Sequence, residues 1–229
     1  MSNFLYQSFF IGDKVQKLIV FLHGYNSCID DLLPSIGILK KELNNTLIVI
    51  PSSDDICERN PNKKQWYALN DVDPERKRRN PATSIEEIIE IYNRTGNRIS
   101  KVSKELNSFI SSIQKKHKIT NKNTYIMGFS QGAMLAIYVG LTRRYKVGGV
   151  FCFAGIVCGR DMLEKEITSK PKVYLFHGTN DFSVQYKTLG YTKDWLSMHD
   201  IDWEAIEYEG IEHRLIDDEM FDTADFLNE

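Results

Sequence analysis

The sequence predicts an α/β protein with a mostly parallel central sheet and helices on both faces. Short, almost continuous apolar runs recur along its 229 residues, and helical patterns lie between them. Strands that are buried on both faces give such runs, and their alternation with helices gives a parallel sheet with right-handed crossovers. In a sheet of this kind, functional sites lie in the loops beyond the carboxyl ends of the strands.

Composition fits one globular domain over residues 1–229. The chain is 42% hydrophobic and 26% charged, and its formal net charge of -2 gives no electrostatic reason to bind nucleic acid or an anionic membrane. The first twelve residues are apolar, but no Lys or Arg precedes the apolar run, which is also too short to span a bilayer. We therefore expect a cytoplasmic protein with no nucleic-acid partner and no stable membrane insertion.

The cysteines do not indicate a metal site. None of the four forms a C-x-x-C pair, and no Cys/His pair has the spacing of zinc ligands. Free thiols in a reducing cytosol are the simplest interpretation. We expect no metal and no cofactor.

The predicted strands are apolar runs of five to seven residues, and all but the last are nearly continuous. In chain order they are KLIVFL (17–22), TLIVI (46–50), TYIMGF (124–129), VGGVFCF (147–153), KVYLF (172–176) and DWEAIEY (202–208).

A long helical pattern lies between the second and third of these strands. It opens with Ser84 and Glu87, which have the spacing of a capping box. Apolar residues then recur at intervals of three and four from Ile99 to Ile113. We expect Gly96 to break or kink this helix.

Residues 51–83 do not follow the strand–helix alternation. They are polar and rich in proline, apart from an isolated QWYAL that begins at Gln65. A connection this long inside a domain is usually functional or disordered. The basic run Arg76–Arg79 follows several acidic residues, so we expect a solvated loop there.

The stretch TYIMGFSQGAMLAIYVG (124–140) passes from a strand to a helix with a serine at the turn. The pattern G-x-S-x-G between a strand and a helix is that of a nucleophile elbow, in which a sharp turn exposes the serine above the sheet. Gly128 and Gly132 would allow the strand and the helix to approach closely. Ser130 is therefore the candidate nucleophile.

A serine hydroxyl needs a base, and in this fold class the partners follow in the order serine, acid, histidine. His213 follows the carboxyl end of the last predicted strand, whereas His199 precedes that strand and would lie at the wrong edge of the sheet. Asp181 lies in the turn after the strand KVYLF, whereas Glu212 is adjacent to the histidine and poorly placed to orient it. We expect His213 as base and Asp181 as its orienting acid.

The oxyanion of an acyl-transfer intermediate needs two hydrogen-bond donors. One is the backbone N–H of Gln131, the residue after the nucleophile. The second should lie after an early strand, and in LIVFLHGYNS (18–27) the N–H of Tyr25 fits. His23 is expected to order this loop.

Five blocks, FLHGYNS, QWYAL, GFSQGA, HGTND and EGIEH, occur in this order between residues 21 and 213. In these blocks the chain resembles the phospholipase/carboxylesterase family of α/β hydrolases, which includes acyl-protein thioesterases. The resemblance implies an α/β-hydrolase fold, Ser130, Asp181 and His213 as a catalytic triad, and Tyr25 and Gln131 as oxyanion donors.

The resemblance also implies that Trp66 lies near the substrate groove. The residues themselves leave two interpretations open, because Trp66 could either fasten the 51–83 loop to the core or line an apolar acyl groove.

The function expected from these features is a serine hydrolase that cleaves carboxylic esters or acyl thioesters through an acyl-enzyme. Its substrate would be a small-molecule or lipid ester, and a homodimer is compatible with the sequence. The alternatives are a short-chain esterase for small soluble esters and, in another class, a non-enzymatic binding module. The intact order of serine, acid and histidine argues against the binding module.

Overall fold

The computed structural model describes residues 4–228, and its main sheet contains seven strands. These strands are β1 (Tyr6–Ile11), β2 (Lys17–Leu22), β3 (Thr46–Pro51), β6 (Thr124–Phe129), β7 (Gly149–Phe153), β8 (Val173–Gly178) and β9 (Trp203–Tyr208). A separate hairpin consists of β4 (Ile56–Cys57) and β5 (Asn60–Lys64).

The spatial order of the main sheet is β1-β3-β2-β6-β7-β8-β9. All its neighbouring strands are parallel except β1, which pairs antiparallel with β3. All six predicted strands are therefore present in the expected arrangement. The edge strand β1 was not predicted, because its side chains are largely exposed and do not form a continuous buried run.

Helices cover both faces of this sheet. They are α1 (Leu33–Glu42), α2 (Ile85–Asn93), α3 (Gly96–His117), α4 (Gln131–Thr142), α5 (Arg160–Glu166), α6 (Thr188–Met198) and α7 (Asp217–Asn228). Because side chains alternate along a strand, β2 contributes Leu18 and Val20 to the core under α3 and α4, and Ile19 and Phe21 to the core under α1 and α7.

The predicted helix start and break are both present. The backbone N–H of Glu87 donates to Ser84 Oγ at 3.2 Å, which caps α2. The helix α2 ends at Asn93, and α3 begins at Gly96. A Cβ at Gly96 would lie 3.2 Å from that of Met162, so the break also allows α3 to approach α5 closely.

Residues 51–83 are ordered by contacts with the core. Trp66 and Tyr67 are buried, and Lys77–Arg79 form a short 3-10 helix. Arg76 is exposed as expected, but the expectation of a solvated loop is wrong for Arg78, which is buried.

Two further features are the state of the cysteines and the hydrophobicity of the helices. All four cysteines are free thiols, and three of them are buried. Within residues 4–228, no helix has the length and hydrophobicity that crossing a bilayer requires.

The loop that carries His213 is fastened to α7 by a buried carboxyl group. The backbone N–H of Ile216 donates to Glu219 Oε2 at 3.0 Å, which satisfies one donor at the start of the helix. Burial, with a smaller contribution from the nearby carboxylates Asp222 and Asp181, outweighs the hydrogen bond from Ile216 and raises the pKa of Glu219 from 4.5 to about 8. The folded protein therefore holds a proton on Glu219 at neutral pH.

This proton makes stability depend on pH. A carboxyl group with a raised pKa in the folded state stabilises it fully below the unfolded pKa, and the effect is lost as pH rises through the folded pKa. The contribution of Glu219 to stability should decrease between about pH 4.5 and 8, so we expect the melting temperature of the wild type to fall relative to that of Glu219→Gln over this range. Equal pH profiles of melting temperature for both proteins would contradict a protonated Glu219.

Candidate active site

Ser130 lies at a sharp turn between β6 and α4. Its backbone has a φ of 55° and a ψ of -117°, a strained conformation for a residue with a side chain. The turn is held by the Ser130 N–H, which donates to Phe153 O at 2.9 Å, and by Ser130 O, which accepts from the N–H groups of Ala133 and Met134. The hydroxyl is thereby presented at the carboxyl edge of the sheet.

Two glycines make this turn sterically possible. A Cβ at Gly128 would overlap the carbonyl oxygen of Gly132, and a Cβ at Gly132 would overlap the carbonyl oxygen of Leu22. Only hydrogen fits at these positions, so the start of α4 can rest directly on the ends of β6 and β2.

The three residues predicted as a triad are in contact with one another. His213 Nε2 lies 2.9 Å from Ser130 Oγ, and His213 Nδ1 lies 2.7 Å from Asp181 Oδ2. The carboxyl ends of β6, β8 and β9 bring these residues together from distant parts of the chain. The ring of His213 also packs on that of Phe129, with 4.8 Å between their centroids.

Asp181 is buried, and its carboxylate is surrounded by donors. The backbone N–H groups of Ser183 and Val184 donate to Oδ1 at 2.8 and 3.0 Å. Burial alone would raise the pKa of Asp181, but His177 and His213 outweigh it and lower the pKa to about 2. Because an ionised carboxylate only accepts, His213 carries its proton on Nδ1, and Nε2 is free to accept from Ser130.

The other histidine and acid considered from the sequence lie outside this contact. The ring of His199 stacks on Trp195 at the end of α6, and its Nδ1 lies 2.8 Å from Trp195 O. Glu212 is exposed and forms no ion pair with another residue between 4 and 228.

The loop after β2 lies against the elbow. A Cβ at Gly24 would be 3.3 Å from the ring of Phe129 and 3.6 Å from Ser130 Cβ. Among residues 4–228, the backbone N–H groups of Tyr25 and Gln131 have no hydrogen-bond acceptor. Both groups are therefore without an acceptor inside the protein, and their role as oxyanion donors stays a prediction.

His23 orders this loop. Its Nε2 accepts from the Ser53 N–H at 3.2 Å, so Nδ1 carries the proton and donates to Gly24 O at 2.9 Å. Burial lowers the pKa of His23 to about 4, which keeps the ring neutral at physiological pH.

Trp66 occupies a different position from that of an acyl-groove residue. Only 1% of it is exposed, and its indole stacks on the His23 ring with 4.7 Å between centroids. Its Nε1 donates to His23 O at 2.8 Å. Trp66 is absent from the lining of the cavity beside Ser130, so its position corresponds to the first interpretation, in which it fastens the 51–83 segment to the core.

The side chain of Gln131 was not predicted to matter, yet it joins the same assembly. Its Oε1 accepts from the Trp66 N–H at 2.8 Å, and its Nε2 donates to Tyr67 O at 2.8 Å. Gln131 therefore connects the elbow to the segment that supports the His23 loop. No sequence pattern would have revealed this contact, because it joins residues about 65 positions apart.

A cavity of about 410 Å³ opens beside Ser130 and His213. Part of its lining is apolar, whereas Arg79 and Arg214 add positive charge and Asp31 and Asp217 add negative charge. This volume falls in the range of small-molecule sites. The apolar lining comprises Leu32, Pro34, Phe129, Leu215 and Ile216.

The chain is similar in sequence to proteins of a described family. The sequence profile of a family described as phospholipase/carboxylesterase matches residues 11–229. Acyl-protein thioesterase 1 of Mycosarcoma maydis is 32% identical over 118 residues, which are 48% of this chain and 49% of that protein. Acyl-protein thioesterase 1 of Kluyveromyces lactis is 31% identical over 133 residues, which are 55% of this chain and 57% of that protein. The chain spans about half the length of these curated relatives.

The crystal structure of esterase PE8 matches this fold with a TM-score of 0.81 and 24% identity, and the match covers 97% of this chain and 96% of that chain. The likeness confirms the predicted α/β-hydrolase fold.

The contact between Trp66 and His23 can be tested through stability. We expect Trp66→Phe to lower the free energy of unfolding by at least about 1 kcal/mol, because the buried His23 carbonyl loses its donor. Trp203→Phe is the matched control, since that indole donates to Ser197 in an exposed site and should change stability by about 0.5 kcal/mol or less. Urea denaturation measures both values, and equal losses would contradict the supporting role of Trp66.

Proposed function

Because the chain belongs to the phospholipase/carboxylesterase family, we propose that it is a serine hydrolase that cleaves carboxylic esters or acyl thioesters through an acyl-enzyme. The single observation that carries the proposal is the imidazole of His213, which lies within hydrogen-bond distance of both Ser130 Oγ and Asp181 Oδ2. Such a ring can activate the hydroxyl and is itself held in place.

The first half of the reaction acylates Ser130. Ser130 Oγ attacks the carbonyl carbon while His213 Nε2 takes its proton, and Asp181 stabilises the imidazolium without itself becoming protonated. The carbonyl oxygen becomes an oxyanion that accepts from the N–H groups of Tyr25 and Gln131. When the intermediate collapses, the bond to the alcohol or thiol breaks, and His213 returns the proton to the leaving group.

The second half releases the acid. A water molecule gives its proton to His213 Nε2 and attacks the acyl carbon, so the same two N–H groups hold a second oxyanion. Breakdown of this intermediate returns the proton to Ser130 Oγ and frees the carboxylic acid. We assign Trp66 to the support of the oxyanion loop, since its indole holds the carbonyl of His23.

The volume and the apolar part of the lining of the cavity favour an acyl chain longer than acetyl. Its apolar lining residues, which include Leu32 and Ile216, share the cavity with Ser130. Each methylene group of the substrate that is buried there contributes up to about 0.8 kcal/mol to the free energy of binding. A short-chain esterase remains the alternative enzyme, and rates on a series of p-nitrophenyl esters and acyl thioesters separate the two. The hypothesis of a non-enzymatic binding module is disfavoured, because ligand binding alone does not require a histidine base hydrogen-bonded to a serine in a strained conformation.

The substrate class we propose is a small-molecule or lipid ester. We place the protein in the cytoplasm, in keeping with its four free thiols. A homodimer stays a prediction from the sequence. We also propose a single domain in which the 51–83 segment contributes to the substrate site, since Arg79 lines the cavity.

The serine and the histidine should act as one unit. We expect Ser130→Ala and His213→Ala each to lower kcat for p-nitrophenyl butyrate by about 10⁴–10⁶, and the double variant to lower it little further. A fluorophosphonate probe should label the wild type at Ser130 and leave Ser130→Ala unlabelled.

His199→Ala is the control, because that ring contacts Trp195 at the end of α6 and Glu164 and does not line the cavity beside Ser130. It should hydrolyse the ester at close to the wild-type rate. Losses that add in the double variant, or normal turnover by either single variant, would rule out this mechanism.

The acid can be identified by comparing two carboxyl groups. We expect Asp181→Asn to lower kcat by about 10⁴, because an amide no longer fixes the proton of His213 on Nδ1. Glu212→Gln is the matched control, since Glu212 is adjacent to His213 but exposed. Steady-state rates of the wild type and both variants on one ester are sufficient to make this comparison. An active Asp181→Asn together with an inactive Glu212→Gln would transfer the role to Glu212.

A further inference from the structure

The basic run Arg76–Arg79 contributes two side chains to the interior beside Ser130. Because Lys77–Arg79 form a 3-10 helix, consecutive side chains leave it in three different directions. Arg76 and Lys77 are exposed, Arg78 is buried, and Arg79 is partly buried. Both Arg78 and Arg79 line a narrow cleft behind Ser130.

Arg78 is neutralised within the fold. Its Nη1 forms an ion pair with Asp73 Oδ2, and both side chains are almost completely buried. Asp73 also accepts from the backbone N–H of Lys77 at 2.7 Å. This pair holds the segment together and leaves no carboxylate for the next arginine.

Arg79 has no such partner. Among residues 4–228, no carboxylate forms an ion pair with it, and its Nε is buried without an acceptor. A buried guanidinium donor without an acceptor is costly, so a native chain rarely keeps one without a reason. Arg79 also lines the 410 Å³ cavity together with Ser130 and His213.

The surroundings of Arg79 are positive. Burial lowers the pKa of Arg79, and the charges of Arg78, Arg59 and Arg76 lower it further. A guanidinium stays protonated in spite of such shifts. Arg78 and Arg79 therefore line the cleft beside Ser130, and the exposed Arg59 and Arg76 add positive charge near Arg79.

Acidic groups in the cavity do not offset this charge. Asp31 already forms an ion pair with Lys63 at 2.8 Å and accepts from Ser27 Oγ at 2.9 Å. Asp217 lines the rim, where it is exposed, and the exposed Arg214 lines the same rim.

We propose that Arg79 binds an anionic group, a carboxylate or a phosphate, carried by the ester or thioester that Ser130 attacks. The planar guanidinium can donate several hydrogen bonds to either anion, and the orphaned Nε gains an acceptor when the substrate binds. The inference rests on the proposed function and narrows its substrate class. The anion can belong to the acyl group or to the leaving group.

Two pairs of matched substrates distinguish these sources. Mono-p-nitrophenyl glutarate against p-nitrophenyl valerate places a carboxylate on the acyl side of chains of equal length. The butyryl ester of glycerol 3-phosphate against glyceryl monobutyrate places a phosphate on the leaving-group side. For each pair we define the anion preference as the ratio of kcat/KM for the charged substrate to that for the neutral one.

We expect Arg79→Gln to lower the anion preference in at least one pair by about 10- to 100-fold, mainly through KM, because charge-assisted hydrogen bonds to the substrate are lost. Arg79→Lys keeps the positive charge but lacks the planar guanidinium with its several donors, so it should lower the anion preference less than Arg79→Gln does. Arg144→Gln removes an equal charge from an exposed site after α4 and should leave it unchanged. Raised salt should reduce the wild-type preference.

A second measurement does not depend on turnover. Glutarate or inorganic phosphate should raise the melting temperature of Ser130→Ala at constant ionic strength, and the double variant with Arg79→Gln should lose that shift. The melting transition of the double variant also shows whether a protein that carries Arg79→Gln is folded.

Anion preferences that Arg79→Gln and Arg79→Lys leave unchanged in both pairs, with no shift in melting temperature, would overturn the inference. The proposed function would still stand if neutral esters are hydrolysed in a Ser130-dependent way. Conversely, absence of turnover and of fluorophosphonate labelling would overturn the proposed function, and the melting experiment would then decide on Arg79 alone.

Discussion

The close approach of α4 to the ends of β2 and β6 is the constraint on which the rest of the site depends. It exists because Gly128 and Gly132 have no Cβ, and it forces the chain through a positive φ at Ser130. The same contact places the N–H of Gln131, at the start of α4, close to the loop that carries Tyr25. The proposed nucleophile and the proposed oxyanion donors are thus positioned by backbone packing, so they need no reorganisation during the reaction.

The second determinant is the parallel sheet itself. Ser130, Asp181 and His213 follow β6, β8 and β9, whose carboxyl ends share one edge, so the fold alone brings three distant residues together. A buried carboxylate would be unstable without partners. Asp181 has two backbone donors and the His213 ring, and this compensation also fixes the direction in which the imidazole points.

Much of this arrangement could be read from the sequence. Strands buried on both faces leave unbroken apolar runs, and the elbow has a fixed spacing, so β6, Ser130 and the turn after β8 were predictable. The strand β1 was not, because an edge strand with largely exposed side chains has no such run. The inward direction of Arg79 was hidden because adjacent residues of a 3-10 helix point different ways. The position of Trp66 depends on contacts with His23 and Gln131, far away in the chain, which leave no periodic signal.

The hydrogen bonds of the Gln131 amide constrain substitution at position 131 more than at the positions that it contacts. Gln131 forms them with its side chain, whereas residues 66 and 67 form them with their backbone. It contacts the N–H of residue 66 and the carbonyl of residue 67, which every amino acid other than proline provides. The side chain at position 67 can therefore diverge among relatives without breaking this connection. Position 131 has no such freedom, since only an amide side chain of this length offers both a donor and an acceptor there. Sequence variation across the family should therefore be far narrower at position 131 than at position 67, even though neither side chain has to touch the substrate.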